Sequence, residues 1–233
     1  MSDKALLVDF WGTLFYPKIS IEEYHHLRAE KLREVFLKYG ITLDHDLIYA
    51  TYRETRRELD ILRKTSQVEI DVKGEIALLL HKLQIPPSPE LINDLVEAYL
   101  YPYVTTIDLA PGVKEFFTEV REKGYLIVLA SNTMSGYHTI QVLRRYQLYN
   151  FFDYLALSDK IGFRKPSLKF FSYIIFTLDV APEKSFMVGD EEADMSAKKL
   201  GFTTVAYEGF HKYEGEIKPN FYASSFYNLA DLL

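Results

Sequence analysis

Apolar and polar positions alternate in two rhythms along this chain. Ala5–Val8 is a continuous apolar run, which predicts a strand buried on both faces. From Ser20 to about Tyr103 the period is helical. Ser20-Ile21-Glu22-Glu23 has the form of a capping box, in which a hydroxyl and a glutamate satisfy each other's backbone N–H groups. Ile21, Tyr24, Leu27, Leu32, Val35, Phe36 and Tyr39 then recur on one face, and Gly40 supplies a stop. Further helices are predicted over Asp44–Lys64 and Val72–Leu83. Pro86-Pro87 breaks the chain, and Ser88-Pro89 opens a fourth helix with an N-cap and a proline at its first position.

From Pro111 short apolar runs alternate with amphipathic segments. Helices are predicted over Val113–Lys123, Tyr137–Tyr146, Ser167–Leu178 and Glu192–Leu200. Strands are predicted over Tyr125–Ala130, Tyr154–Leu157, Ser185–Val188 and Thr203–Ala206. Apolar strands separated by helices mean a parallel sheet covered on both faces. The expected fold is α/β: a Rossmann-like three-layer parallel sheet core, interrupted after its first strand by an all-helical domain. The expected boundaries are residues 1–15 and 106–233 for the core and 16–105 for the helical insert.

In such sheets ligands bind beyond the carboxyl ends of the strands. Three of these strands end in polar groups: Asp9, Ser131-Asn132 and Asp190. Any one of them could be an ordinary wet strand end; three together point to a site.

Composition narrows the chemistry. There are no cysteines among the 233 residues, which excludes disulfides, thiolate metal sites and a cysteine nucleophile. The formal net charge of −6 argues against a broad nucleic-acid surface, so any affinity for phosphate has to be local. No run approaches the roughly 20 apolar residues of a membrane span, and the first apolar run is too short for a signal peptide. A cytoplasmic protein acting on a small molecule is the expectation, with no nucleic-acid or membrane partner; the pattern does not speak to oligomeric state.

Four motifs in order resemble the haloacid dehalogenase-like hydrolase superfamily. They are Asp9-Phe10-Trp11-Gly12-Thr13, Ser131-Asn132, Lys165-Pro166 and Gly189-Asp190-Glu191-Glu192-Ala193-Asp194. The helical segment stands where that family carries its first-type cap, and the resemblance covers essentially the whole chain. It implies Asp9 as a nucleophile and Mg²⁺ held by Asp9, the Trp11 carbonyl and Asp190. Asp194 would hold a metal-bound water or Lys165. Lys165 would neutralise charge on the attacking carboxylate. Ser131, Thr13 and the Asn132 N–H would donate to phosphoryl oxygens, and Gly12 would let the loop turn beside the ligand.

One position departs from the family's phosphatases. The residue two after the nucleophile is there an aspartate that protonates the leaving oxygen; here it is Trp11, whose indole N–H does not titrate usefully. The family's 2-haloacid dehalogenases also carry an aromatic at this place and use no metal. However, they usually lack an aspartate matching Asp190, and they often carry a tyrosine where Phe171 stands. Without a metal, Asp9, Asp190 and a haloacid anion would crowd three negative charges together. The expected function is therefore a Mg²⁺-dependent phosphatase acting through an aspartyl intermediate on a small phosphate ester. The alternatives are a metal-independent 2-haloacid dehalogenase and a low-turnover phosphate-binding or regulatory protein. Arg53, Arg56, Arg57 and Arg63 are interleaved with Glu54, Glu58 and Asp60, which reads as a solvated, ion-paired helix face. The sharper reading is that one of these arginines grips a substrate anion.

Overall fold

The computed structural model describes residues 3–233. Strand β1 (Ala5–Val8) is wholly buried, and a loop leads to the short strand β2 (Phe15–Pro17). Four helices follow: α1 (Ile21–Lys38), α2 (His45–Ser66), α3 (Val72–Lys82) and α4 (Pro89–Thr105). Strand β3 (Ile107–Leu109) returns the chain, pairing antiparallel with β2 so that Phe15 faces Leu109 and Pro17 faces Ile107. Then come α5 (Val113–Glu122), β4 (Leu126–Ser131), α6 (Gly136–Arg145), β5 (Tyr154–Leu157), α7 (Ser158–Ile161) and α8 (Leu168–Leu178). The chain ends through β6 (Phe186–Gly189), α9 (Glu192–Met195), β7 (Thr203–Tyr207) and β8 (Phe221–Ala223).

The main sheet has the order β5-β4-β1-β6-β7-β8, and each of its pairings is parallel. Successive residues of β1 serve opposite faces. Leu6 and Val8 pack with Phe116, Phe117 and Val142, from α5 and α6. Ala5 and Leu7 pack with Phe170, Phe171 and Ile174 of α8. Both faces are covered, which is why the strand is apolar throughout. The topology puts β4 and β6 on either side of β1, so Asp9, Ser131 and Asp190 end adjacent strands at one edge.

The four inserted helices have a separate apolar core built on Leu32, Phe36, Ile48, Ile76, Leu79 and Leu95. The expected capping box is present: Ser20 Oγ accepts from Glu23 N at 3.2 Å, and the Glu23 carboxylate accepts from Ser20 N at 2.9 Å. Asp71 and Ser88 cap α3 and α4 more simply, their side chains accepting from Gly74 N and Leu91 N with no reciprocal bond. The far end of this insert is tied to the core. Glu69 N donates to Gly162 O at 2.9 Å, and Arg164 N donates to Gln67 O at 3.1 Å. The buried Glu69 carboxylate accepts from Ser158 Oγ at 2.6 Å.

The structure corrects three details. The segment expected as one helix over Glu192–Leu200 divides into α9 and a 3₁₀ turn, Ser196–Leu200. The β2–β3 ribbon was not expected, because each strand is only three residues long and too short for an alternation to register. Edge strand β8 is likewise three residues, with Phe221 and Tyr222 exposed, so no apolar run marks it.

Candidate active site

Asp9 begins the loop just beyond β1, where its own N–H still bonds to Val188 O at 2.9 Å. The loop then winds tightly: Gly12 N donates to Phe15 O at 2.7 Å and Phe15 N to Phe10 O at 2.8 Å. Gly12 has φ +81°, and a Cβ there would stand 2.1 Å from Asp190 Oδ2. Only glycine allows the loop to lie against that carboxylate. Gly189 meets the same limit on the next strand, where a Cβ would fall 2.2 Å from the Asp194 carboxyl carbon.

Oxygens of Asp9, Asp190 and Asp194 lie within 4.8 Å of one another, and all three residues are buried. At that spacing each pair of carboxylates repels by roughly 3–4 kcal/mol at an effective dielectric of about 20. One buried cation offsets part of this. Lys165 Nζ donates to Asp9 Oδ1 at 2.6 Å and to Asp194 Oδ1 at 2.5 Å. The lysine is itself fixed by Asn132, whose Nδ2 donates to Lys165 O at 2.9 Å while its Oδ1 accepts from Lys165 N at 2.8 Å. Burial, with the Asp194 and Asp190 charges, pushes the Asp9 carboxyl well above the usual range, against the pull of Lys165. Burial and Asp194 likewise push Asp190 upward, against His211 and Thr13. Lys165 loses solvation, but its two carboxylates more than restore its charge and hold its pKa high. One lysine among three carboxylates leaves the site deficient in positive charge. A compact set of hard oxygen donors of this kind fits Mg²⁺.

The site residues expected from the sequence come together, with some reassigned contacts. Asp9, Ser131, Asn132, Lys165 and Asp194 line one cavity of about 1090 Å³. The Ser131 hydroxyl has no hydrogen-bond partner among the described residues, so it is available to a ligand. Thr13 is fully buried instead and donates to Asp190 Oδ1 at 2.9 Å, so it orients a carboxylate rather than facing the cavity. The side chain of Asn132 serves Lys165. Of the two adjacent cations, Lys165 enters the site, whereas Arg164 reaches Glu69 at 3.5 Å. Trp11 also lines the cavity, its indole stacked on Tyr103 at 5.9 Å and edge-on to Tyr24 at 5.8 Å.

His211 was not anticipated. Its Nε2 lies 2.8 Å from Asp190 Oδ2 and its Nδ1 lies 3.0 Å from Lys212 O. The Lys212 carbonyl and the Asp190 carboxylate raise its pKa, against partial burial. Nothing in the sequence marks it, because it stands alone in the loop after β7, with no motif around it.

The α2 arginines meet the expectation of a solvated, ion-paired face only in part: Arg53 and Arg57 are exposed and Arg56 pairs with Asp60 at 3.2 Å, but the same side chains also wall the site. Arg53, Arg56, Arg57 and Arg63 all line the cavity. Arg63 is buried, bonding Glu75 Oε1 at 2.5 Å, Asp60 Oδ1 at 3.0 Å and Glu69 Oε1 at 3.1 Å. Charge interleaving along one helix does not reveal what the opposite wall supplies.

This sheet, with an aspartate and a helical insert following its first strand, defines a hydrolase fold. The chain belongs to the haloacid dehalogenase-like hydrolase family, whose sequence profile matches residues 10–207. It is 26% identical over 184 residues to glyceraldehyde 3-phosphate phosphatase of Pyrococcus furiosus, covering 77% of this chain and 71% of that protein. Its fold is similar to that of a HAD phosphatase from Thermococcus onnurineus (TM-score 0.68, 22% identity, 98% of this chain and 97% of that one). It is also similar to the fold of L-2-haloacid dehalogenase from Xanthobacter autotrophicus (TM-score 0.65, 17% identity, 100% and 98%). The fold therefore accommodates both chemistries, and the choice between them belongs to the site.

Proposed function

We propose that this chain is a Mg²⁺-dependent phosphomonoester hydrolase that works through a phosphorylated Asp9. The observation that carries the reading is the trio of buried carboxylates within 4.8 Å, served by a single lysine. Asp9, Asp190 and the Trp11 carbonyl would hold the ion, with Asp194 beside it. Bound there, Mg²⁺ neutralises the carboxylates and offsets the charge on the transferring phosphoryl group.

This chain's own residues would act as follows. The Asp9 carboxylate attacks phosphorus, the ester P–O bond breaks, and the alcohol leaves as its oxyanion. Lys165, Ser131 and the Asn132 N–H stabilise the phosphoryl oxygens. Water then attacks phosphorus, releasing phosphate and restoring the Asp9 carboxylate. No titrating side chain stands at Trp11 to protonate the leaving oxygen, so acyl and aryl phosphates should be better substrates than alkyl phosphates. Residues 16–105 serve as the cap that covers the site, hinged at the β2–β3 ribbon. The similarity to a glyceraldehyde 3-phosphate phosphatase supports a small phosphorylated metabolite as substrate.

The aromatic at Trp11 favours a second reading, the 2-haloacid dehalogenase, since halide leaves without a proton. Electrostatics at the nucleophile weighs against it: without a divalent cation, the three buried carboxylates would have only Lys165 and the half-exposed His211 beside them, whatever anion the substrate carried. A panel of phosphoesters and haloacids assayed with Mg²⁺ and with EDTA decides between the two. The expected result is phosphate release that EDTA abolishes, with no halide from 2-chloropropionate. Chloride release in EDTA would establish the dehalogenase.

A further inference from the structure

The insert side of the cavity carries more positive charge than its neighbours neutralise. Among the described residues, eight lysine and arginine side chains and six carboxylates line this space, in a chain whose net charge is −6. The carboxylates contributed by the insert are already engaged. Asp60 is shared by Arg56 at 3.2 Å and Arg63 at 3.0 Å. Glu69 is shared by Arg63 and Arg164. Glu54 pairs with Lys82 at 3.3 Å.

Besides the Lys64 ammonium, the guanidinium groups of Arg53 and Arg57 are left over. Neither makes an ion pair or a hydrogen bond with any described residue, and both are exposed to the cavity. They lie four positions apart on α2, about 6 Å along the axis, so both reach one side of the helix. Behind them Arg28 is 1% exposed and has no carboxylate partner. Its guanidinium donates to Tyr99 O at 2.6 Å, Tyr52 Oη at 2.7 Å and Tyr24 Oη at 2.8 Å. A buried guanidinium balanced only by neutral acceptors adds to the positive charge on this side of the cavity.

We infer that Arg53 and Arg57 bind a second anionic group of the substrate, so that the enzyme selects phosphomonoesters carrying a carboxylate or a second phosphate. This rests on the phosphatase reading. The phosphoryl group undergoing transfer is fixed at Asp9, and the two free guanidinium forks belong to a different element, α2. An arginine fork matches a carboxylate or phosphate in two parallel hydrogen bonds. A substrate whose remote end is a neutral aldehyde or alcohol would leave both forks unmatched.

Matched substrate pairs test the inference on the intact chain at physiological salt. 3-Phosphoglycerate against glycerol 3-phosphate isolates a carboxylate. Fructose 1,6-bisphosphate against fructose 6-phosphate isolates a second phosphate. The arm with the larger ratio identifies the anion. The expected kcat/KM preference for the doubly anionic member is about 10- to 100-fold, carried mainly by KM. Arg53→Gln/Arg57→Gln should reduce that preference to near unity, and its loss on the doubly anionic substrate should exceed its loss on p-nitrophenyl phosphate at least about tenfold. Arg53→Lys/Arg57→Lys should recover part of it, because charge returns without the fork. Equal rates within each pair, or a loss of the same size on every substrate, would overturn the inference while leaving the phosphatase reading intact. If wild-type protein turned over no phosphoester, p-nitrophenyl phosphate included, the phosphatase reading would fail and the inference with it.

Discussion

Trp11 holds the place from which a carboxylate would serve the leaving oxygen. Its indole is instead held between Tyr103 and Tyr24, so an aromatic wall stands beside Asp9. General acid–base assistance is typically worth about 10²–10⁴ in rate. Trp11→Asp should therefore raise kcat on alkyl phosphates at least about tenfold while changing acetyl phosphate little. The same substitution gives up two aromatic contacts worth about 0.5–1.5 kcal/mol each, which a lowered denaturation midpoint would register. A rate unchanged on both substrates would mean that another group already supplies the proton. At this scale the sequence was informative where motif and position coincide. Asp9, Asp190 and Asp194 could be named because each ends a strand or opens a helix in a set order, and Lys165 because it stands before Pro166 in the third motif. Thr13 and Asn132 could be named as well, but not their partners, since a hydroxyl and an amide reveal nothing of what they face until the loops close. His211 carried no signal because its role depends on a contact 21 residues back in the chain.

Among the elements, the inserted helices show how far periodicity reaches. Their starts were legible because capping is local chemistry, written within four residues at Ser20, Asp71 and Ser88. The direction in which α2 turns its arginines was not, because that depends on the core wall it meets. His25 on α1 illustrates the consequence. Its Nδ1 lies 2.6 Å from Tyr52 Oη, and it shares the cavity with Arg28, Arg53 and Arg56. Burial, then Arg53, Arg28, Arg56 and His26, push its pKa down to about 4. The unfolded imidazole takes up a proton near pH 6.5, whereas the folded one does so only near pH 4. Between those values the unfolded chain binds more protons, so stability falls as pH drops through this window. Urea melts at pH 7 and pH 5 should show the loss, and His25→Asn should shrink it. An identical pH response in the variant would mean that His25 is not the titrating group.

For the whole molecule, a parallel sheet follows from apolar strands alternating with helices, and with it the gathering of polar strand ends along one side. That much was legible because buried parallel strands must be apolar and their ligand-binding ends are fixed by topology. The ribbon at the insert's root and the attachment of Glu69 to Ser158 and Gly162 were not, because they join segments distant in sequence through few residues. Of these two connections the second reaches the cavity, where Glu69 forms part of its wall. One wall is the sheet edge with its carboxylates; the other is α2 with its unmatched arginines.

In the proposed mechanism Asp9 becomes phosphorylated in a site that needs a divalent cation. Because no side chain at position 11 can activate water, the phosphorylated form should accumulate. Protein mixed with acetyl phosphate and Mg²⁺, quenched in acid and digested, should yield the Asp9 peptide carrying one phosphoryl group, labile to hydroxylamine. The modification should vanish with EDTA and in Asp190→Asn. Phosphate release with an unmodified Asp9 peptide, or a modification that EDTA leaves undiminished, would contradict the account.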